Sequence, residues 1–308
     1  RDCRSKEHRM ATKKVIAVFG ATGAQGGSVA RALLQSPEFA VRAVTRDVSR
    51  PSSVALRDLG ATVMKGDLDN EKSVEDVLCG AHGAFLVTNY FEHHSKEKEV
   101  NQGKLVADVA KRLGTKHVVY SGLENVKALT GGKLEVAHFD SKGEVEQYFW
   151  DTKVPMTSVR ISFYYENFVG IMKPVKAPEG DYYNLMLPMG DVPMDGISVA
   201  DIGPAVSSIF KCPEEFLGKP LGLTADRLTA EQYAEIMTKH WGKKVVDSKI
   251  SPEEYEKLGF PGAKEIADMF RFYWTRPDRN IESTHKLNPK VRTFHEFLDD
   301  NKEALKDL

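Results

Sequence analysis

The run Val15-Ile16-Ala17-Val18-Phe19-Gly20-Ala21-Thr22-Gly23-Ala24-Gln25-Gly26-Gly27 constrains this chain more than any other stretch. Val15 to Phe19 is apolar and mostly β-branched, the composition of a strand buried on both faces. Gly20, Gly23 and Gly26 follow at once, and Ser28 to Leu34 reads as a helix with Val29, Leu33 and Leu34 on one face. Strand, glycine turn and helix in that order make a phosphate cradle. Gly20 permits the sharp turn, the missing side chain at Gly23 opens the backbone to a pyrophosphate, and Gly26 lets helix and strand pack closely. Thr22, Ala24 and Gln25 belong to the same cradle, at a helix N-terminus carrying partial positive charge. The spacing G-x-x-G-x-x-G differs from the better-known G-x-G-x-x-G, and a plain tight turn also uses glycines. The strand before and the helix after favour the dinucleotide reading.

Strand-like and helix-like segments alternate through the first half. Val41–Thr45, Ala61–Met64, Ala84–Val87, His117–Tyr120 and Val154–Ile161 read as strands. Val54–Leu59, Lys72–Leu78, Ser95–Leu113 and Leu134–Trp150 read as the helices between them. Repeated βαβ units predict an α/β fold, a Rossmann-like doubly wound parallel sheet with helices on both faces. Beyond Ile161, four prolines and three glycines between Phe163 and Asp195 break the pattern. Asp201 is placed to cap a helix reaching Phe210. Thr229-x-x-Gln232, Ser251-x-x-Glu254 and Thr293-x-x-Glu296 are capping boxes that open later helices. The expected organisation is a disordered leader over 1–12 and a dinucleotide-binding domain over 13–162, to which 192–212 returns. Residues 163–191 and 213–308 form a smaller C-terminal, substrate-like domain that completes a cleft.

At 308 residues, 41% hydrophobic and 28% charged, the chain can bury a sizeable core. Its net charge of -1 gives no basic field for nucleic acid, and no apolar run approaches membrane-spanning length. Cys3, Cys79 and Cys212 are few and unpatterned, so neither disulfides nor a metal site are expected. Arg1–Arg9 lacks an apolar core and is no secretory signal; Met10 is the expected native start. Glu97-Lys98-Glu99 reads as a solvated helix face and His93-His94 as surface.

The second strand ends Thr45-Arg46-Asp47, where an acidic residue would select NAD(H) through the ribose hydroxyl. Arg46, with Arg50 nearby, can fork onto a 2′-phosphate instead, which favours NADP(H). Asp47 as a ribose acceptor and a solvated Arg46–Asp47 pair are the alternatives. Asp67, after the third strand, faces either the adenine amino group or the next helix as a cap. Thr88 and Asn89 are expected to line the cofactor cleft at the end of the fourth strand.

These residues resemble the NmrA-like family of atypical short-chain dehydrogenase/reductases. The resemblance rests on Gly20–Gly27, Val44-Thr45-Arg46, Lys65-Gly66-Asp67 and Val119-Tyr120-Ser121-Gly122-Leu123. It continues in His138-Phe139-Asp140-Ser141-Lys142-Gly143, Tyr164-Tyr165-Glu166-Asn167, Gly190–Asp195 and Met269–Tyr273, the last two resembling vertebrate NADP(H)-sensing members. The superfamily uses Tyr-x-x-x-Lys, the ammonium lowering the phenol pKa and holding the nicotinamide ribose. No tyrosine here has a lysine four residues later; the spacing survives as His138-x-x-x-Lys142. By resemblance, Lys142 donates to the ribose, Ser121 orients a substrate, and Tyr164 and Asn167 close over the nicotinamide. Ser121 and His138 are the catalytic candidates, with no metal. The implied function is an NADP(H) redox sensor without efficient catalysis; an NADPH-dependent reductase of a small carbonyl or quinone is the alternative. The resemblance further implies a homodimer, binding to argininosuccinate synthase, restraint of NF-κB signalling, and a cytoplasmic, perinuclear or nuclear location. No nucleic-acid or membrane partner is expected.

Overall fold

A computed structural model describes residues 12–306, so the leader expected over 1–12 lies outside the described residues except for its last position. Six strands carry the first half: β1 (Lys14–Val18), β2 (Phe39–Thr45), β3 (Thr62–Lys65), β4 (Gly83–Leu86), β5 (His117–Gly122) and β6 (Met156–Ile161). Between them run α1 (Ala24–Leu34), α2 (Pro51–Asp58), α3 (Glu71–Leu78), α4 (Lys96–Leu113), the short α5 (Val126–Leu129) and α6 (Ala137–Asp151). Then come β7 (Phe163–Tyr164), β8 (Val175–Lys176), β9 (Tyr183–Leu185), β10 (Met194–Ile197), α7 (Ile202–Lys211), α8 (Pro213–Phe216), β11 (Pro220–Leu223) and β12 (Asp226–Leu228). The chain ends with α9 (Ala230–Trp241), β13 (Val245–Asp247), α10 (Pro252–Glu256), α11 (Ala263–Tyr273), α12 (Ile281–Leu287), α13 (Phe294–Asp300) and α14 (Lys302–Lys306).

The main sheet is seven-stranded and parallel, in the order β11-β6-β5-β4-β1-β2-β3. Alternation along each buried strand divides the side chains between two layers. Ile16, Val18, Phe85 and Val119 face α1 and α7, whereas Ala17, Phe19, Ala84, Leu86, Val118 and Tyr120 face α3, α4 and α6. The order reverses between β1 and β4, and ligands of open parallel sheets bind at the carboxyl ends of the strands beside such a reversal.

Helix α1 begins at Ala24, one turn before the expected Ser28. Gly26 and Gly27 hide that first turn in the sequence because glycine is a poor helix former. Segment 199–211 packs on α1: Ser28 Oγ accepts from Gly203 N at 2.9 Å and donates to the Ala200 carbonyl at 2.9 Å. A Cβ at Gly203 would lie 2.2 Å from the Ser28 carbonyl, so only glycine permits this contact. Asp201 precedes α7 without capping it; its carboxylate accepts from Arg292 instead. The three capping boxes form at Thr229, Ser251 and Thr293. Strand β11, from the stretch assigned to the smaller region, extends the main sheet beside β6. The proline-rich segment is not wholly irregular: β7 and β10 join β12 in one three-stranded sheet, and β8 and β9 join β13 in another. These strands have two to four residues, too few for a period-2 pattern to show.

Candidate functional site

The carboxyl ends of β1, β2, β4 and β5 open into a cavity of about 820 Å³. Gly20, Thr22, Gly23, Ala24, Gln25, Gly26, Arg46, Arg50, Asp67, Thr88, Asn89, Ser121, His138, Lys142, Tyr164 and Asn167 all line it. Gly20 turns the chain with φ +64°. A Cβ at Gly26 would stand 2.1 Å from the Gly20 carbonyl, so the helix presses on the turn itself. A Cβ at Gly23 would meet only that carbonyl, at 3.3 Å, and otherwise enter the cavity. Gly23 is also the N-cap of α1 and supplies no side chain to it, whereas α3 and α4 are capped by Asn70 and Ser95. The first-turn N–H groups of α1 are therefore left for an anion. With the open space above Gly23, this fits a pyrophosphate.

At the adenosine end, Arg46 pairs with Glu92, which follows Asn89 on a short 3₁₀ turn over Tyr90–Glu92. The Glu92 hydrogen bond holds the Arg46 guanidinium above its ordinary pKa against burial. Asp47 turns back on its own loop, accepting from Ser49 N at 2.9 Å and Ser49 Oγ at 2.6 Å. Those two bonds hold its carboxyl below the usual range. Arg50 stands 3.7 Å from Asp47. A 2′-phosphate would therefore compete with Glu92 for Arg46, while the neighbouring Asp47 carboxylate is engaged by its own loop. Asp67 accepts from Asp69 N at 3.0 Å and does not cap α3, because Asn70 does.

Deeper in, Lys142 has partners within the fold. Its Nζ donates to the Thr88 carbonyl at 2.8 Å, Thr88 Oγ1 at 2.9 Å and Glu99 Oε1 at 2.7 Å, which uses all three ammonium protons. Burial pulls the Lys142 pKa down, opposed by Glu99. Burial pushes Glu99 up, but Lys142, Ser141 and Thr88 outweigh it and leave the carboxyl below its ordinary value. Glu99 is fully buried, not part of a solvated face. The helix α4 turns Glu97 and Lys98 outward and Glu99 inward, a distinction its Glu-Lys-Glu letters do not carry.

His138, near the start of α6, lies against Phe91 and Phe139. Its Nδ1 is 2.6 Å from Glu265 Oε1, and its backbone N–H donates to the same oxygen at 3.0 Å. Burial raises the Glu265 pKa, and the two His138 hydrogen bonds reverse this to a net lowering. Glu265 sits on α11, 127 positions along the chain, and no local motif marks it. Ile266, Met269 and Tyr273 of α11 also line the cavity. Tyr164 accepts from Gln25 Nε2, joining the glycine loop to β7, and burial pushes its phenol up to about 12. Asn167 is half-buried at the rim, while Glu166 turns away to bind Ser198 Oγ and Val199 N. Ser121, at the end of β5, is buried against the same cavity as His138.

The site is a dinucleotide cleft of the Rossmann kind, and similarity to known proteins agrees with it. Residues 12–298 match the NmrA-like family. An NmrA-like family domain-containing protein of Dictyostelium discoideum is 35% identical over 300 residues, covering 93% of this chain and 97% of the relative. NmrA-like family domain-containing protein 1 of Rattus norvegicus is 30% identical over 289 residues, covering 94% and 96%. Fungal relatives include proteins described as NmrA-like oxidoreductases. Among solved structures, NmrA, described as a negative transcriptional regulator, superposes with a TM-score of 0.81 at 25% identity, covering 96% of this chain and 98% of that one. NmrA has also been crystallised in complex with NADP and with NAD. The chain belongs to the NmrA-like family.

Proposed function

We propose that this protein is an NADP(H)-binding redox sensor, which changes conformation, self-association or protein binding with the NADPH/NADP+ ratio. The observation that carries the proposal is the combination of a cradle fit for pyrophosphate with a disarmed proton-donor position. His138 stands where the superfamily has its phenol, and Lys142 is saturated by Thr88 and Glu99. When bound, the dinucleotide supplies a hydride. The residues that would hold and orient it are the α1 N-terminus at the pyrophosphate, Arg46 and Arg50 at the 2′-phosphate, and Tyr164 and Asn167 on the nicotinamide side. Sensing requires that the reduced and oxidised cofactors favour different states of the protein; affinity alone shifts nothing. The resemblance directs the search for partners to argininosuccinate synthase and the NF-κB pathway, acting in the cytoplasm or around and within the nucleus, with a homodimer as the associating unit.

A second reading, reduction of a small carbonyl or quinone, is favoured by the His138–Glu265 contact. With Nδ1 engaged by Glu265, Nε2 is the ring nitrogen left to exchange a proton, and Ser121 lines the same cavity. Two measurements decide between the readings. Sedimentation of the full chain with NADPH and with NADP+ is expected to give different association or shape. Steady-state NADPH oxidation with a carbonyl and quinone panel is expected to be negligible, since losing general acid catalysis forfeits about 10²–10⁴ in rate. Turnover at ordinary enzymatic rates that disappears in His138→Ala establishes the reductase instead.

A further inference from the structure

His240, His295 and Asp299 meet where α9 packs on α13, and none of the three lines the dinucleotide cleft. His240 lies in the last turn of α9, and His295 and Asp299 stand one turn apart on α13. One donor atom of each lies within 4.8 Å of the other two. His295 Nδ1 is 3.2 Å from one Asp299 oxygen, and His240 Nδ1 is 3.6 Å from the other. A tetrahedral ion with bonds of about 2.0–2.1 Å holds its ligand atoms about 3.3 Å apart; the two histidines approach different oxygens of Asp299, and a small rotation of that exposed carboxylate brings one oxygen within reach of both.

A second observation concerns His240 itself. Its side chain is 7% exposed. Its Nε2 is buried with no hydrogen-bond partner, and 3.6 Å is too long for Nδ1 to bond Asp299. A buried imidazole nitrogen without a partner is costly, and the Nδ1 that faces Asp299 is left open to an ion. Imidazole nitrogen is the commonest protein ligand of transition ions.

We propose that His240, His295 and Asp299 bind a divalent first-row transition ion of the zinc class, which ties α13 to α9. Two imidazole nitrogens and one carboxylate oxygen suit zinc and leave a coordination position for water. Lys302 Nζ, 3.1 Å from Asp299 Oδ1, neutralises the carboxylate without the ion and yields to it. Lys302 is exposed, so this displacement costs little.

The test is titration of the full chain with Co²⁺, read by visible d–d absorption, followed by displacement with Zn²⁺. The expected result is one saturable equivalent of Co²⁺, displaced by Zn²⁺, and a rise in Tm with Zn²⁺. Because His240 is buried, the discriminating variants are at the exposed ligands. His295→Ala and Asp299→Asn are expected to weaken binding more than about tenfold and abolish the Tm rise, while Lys302→Met tightens binding. Absence of a saturable cobalt spectrum overturns the proposal. So does wild-type affinity in His295→Ala, which places the ion elsewhere on the chain.

Discussion

A Cβ at Gly23 would touch one carbonyl oxygen and otherwise occupy the cavity, whereas a Cβ at Gly20, Gly26 or Gly203 would strain or break the fold. Gly23→Val is therefore expected to fold and to lose dinucleotide binding. Calorimetric titration with NADPH on the folded variant checks this, and wild-type affinity would remove the pyrophosphate from the loop. The Arg46–Glu92 pair carries a second consequence. Both side chains are well exposed, at 60% and 42%, so the pair itself contributes little stability. A bound 2′-phosphate competes with Glu92 for the same guanidinium. Arg46→Ala is expected to erase most of the preference for NADP(H) over NAD(H), roughly tenfold for one partly solvated charge-assisted contact. Glu92→Gln is expected to strengthen NADP(H) binding and leave NAD(H) unchanged. If Glu92→Gln shifts both cofactors equally, the competition does not exist.

Strand β5 shows how one element joins packing, titration and the site. Its far end delivers Ser121 to the cavity, while His117 at its start is buried beside Phe210. Thr157 Oγ1 donates to the Phe216 carbonyl at 2.9 Å, so it accepts at 2.8 Å from His117 Nε2–H. Nδ1 is then bare and buried without a partner. Burial, reinforced by His82, lowers the His117 pKa to about 4. The folded state resists protonation more than the unfolded state does. The full contribution is present above about pH 6.5 and is lost as pH falls toward 4, by about 3 kcal/mol for this group. Urea unfolding between pH 7 and pH 4 is expected to show this slope, flattened in His117→Gln; an unchanged slope would reassign the proton uptake. Six of the seven strands of the main sheet were legible as short apolar runs, whereas β11, Pro220–Leu223, was not, because its proline and glycine break the apolar run. The glycine loop was legible because strand, turn and helix are contiguous. Glu99 and Glu265 were not, because their roles are set by partners 43 and 127 positions away. A glutamate among charged neighbours looks solvated until the fold turns one of three inward. The metal-like cluster of His240, His295 and Asp299 is hidden in the same way.

Across the whole molecule, the cleft has one wall from the βα units and another from α11, and the two are joined below it. One hydrophobic cluster runs from Ile16 and Val18 of β1 through Val206 of α7 to Tyr233, Phe294 and Phe297. Arg279 reaches from the C-terminal part to Glu124, just beyond β5, with bonds of 2.6 and 3.1 Å, both side chains almost fully buried. Arg292, its side chain 24% exposed, makes a second, partly buried link to Asp201. Removing one member of a buried pair strands the other charge, so neither link opens cheaply. A core shared in this way predicts cooperative unfolding of the βα units and the C-terminal elements together. Scanning calorimetry is expected to give a single transition. NADPH at about 100 times its Kd adds about 2.7 kcal/mol to the folded state, which raises that transition on the order of 5 °C. Glu265→Ala, which detaches α11 from His138 while leaving the glycine loop intact, is expected to reduce the NADPH-induced shift without splitting the transition. Two resolved transitions, with NADPH moving only one, would instead mean that the cleft's walls fold independently. A cofactor signal then could not pass from the glycine loop to α11 through the core, and the sensing device would have to lie within the βα units alone.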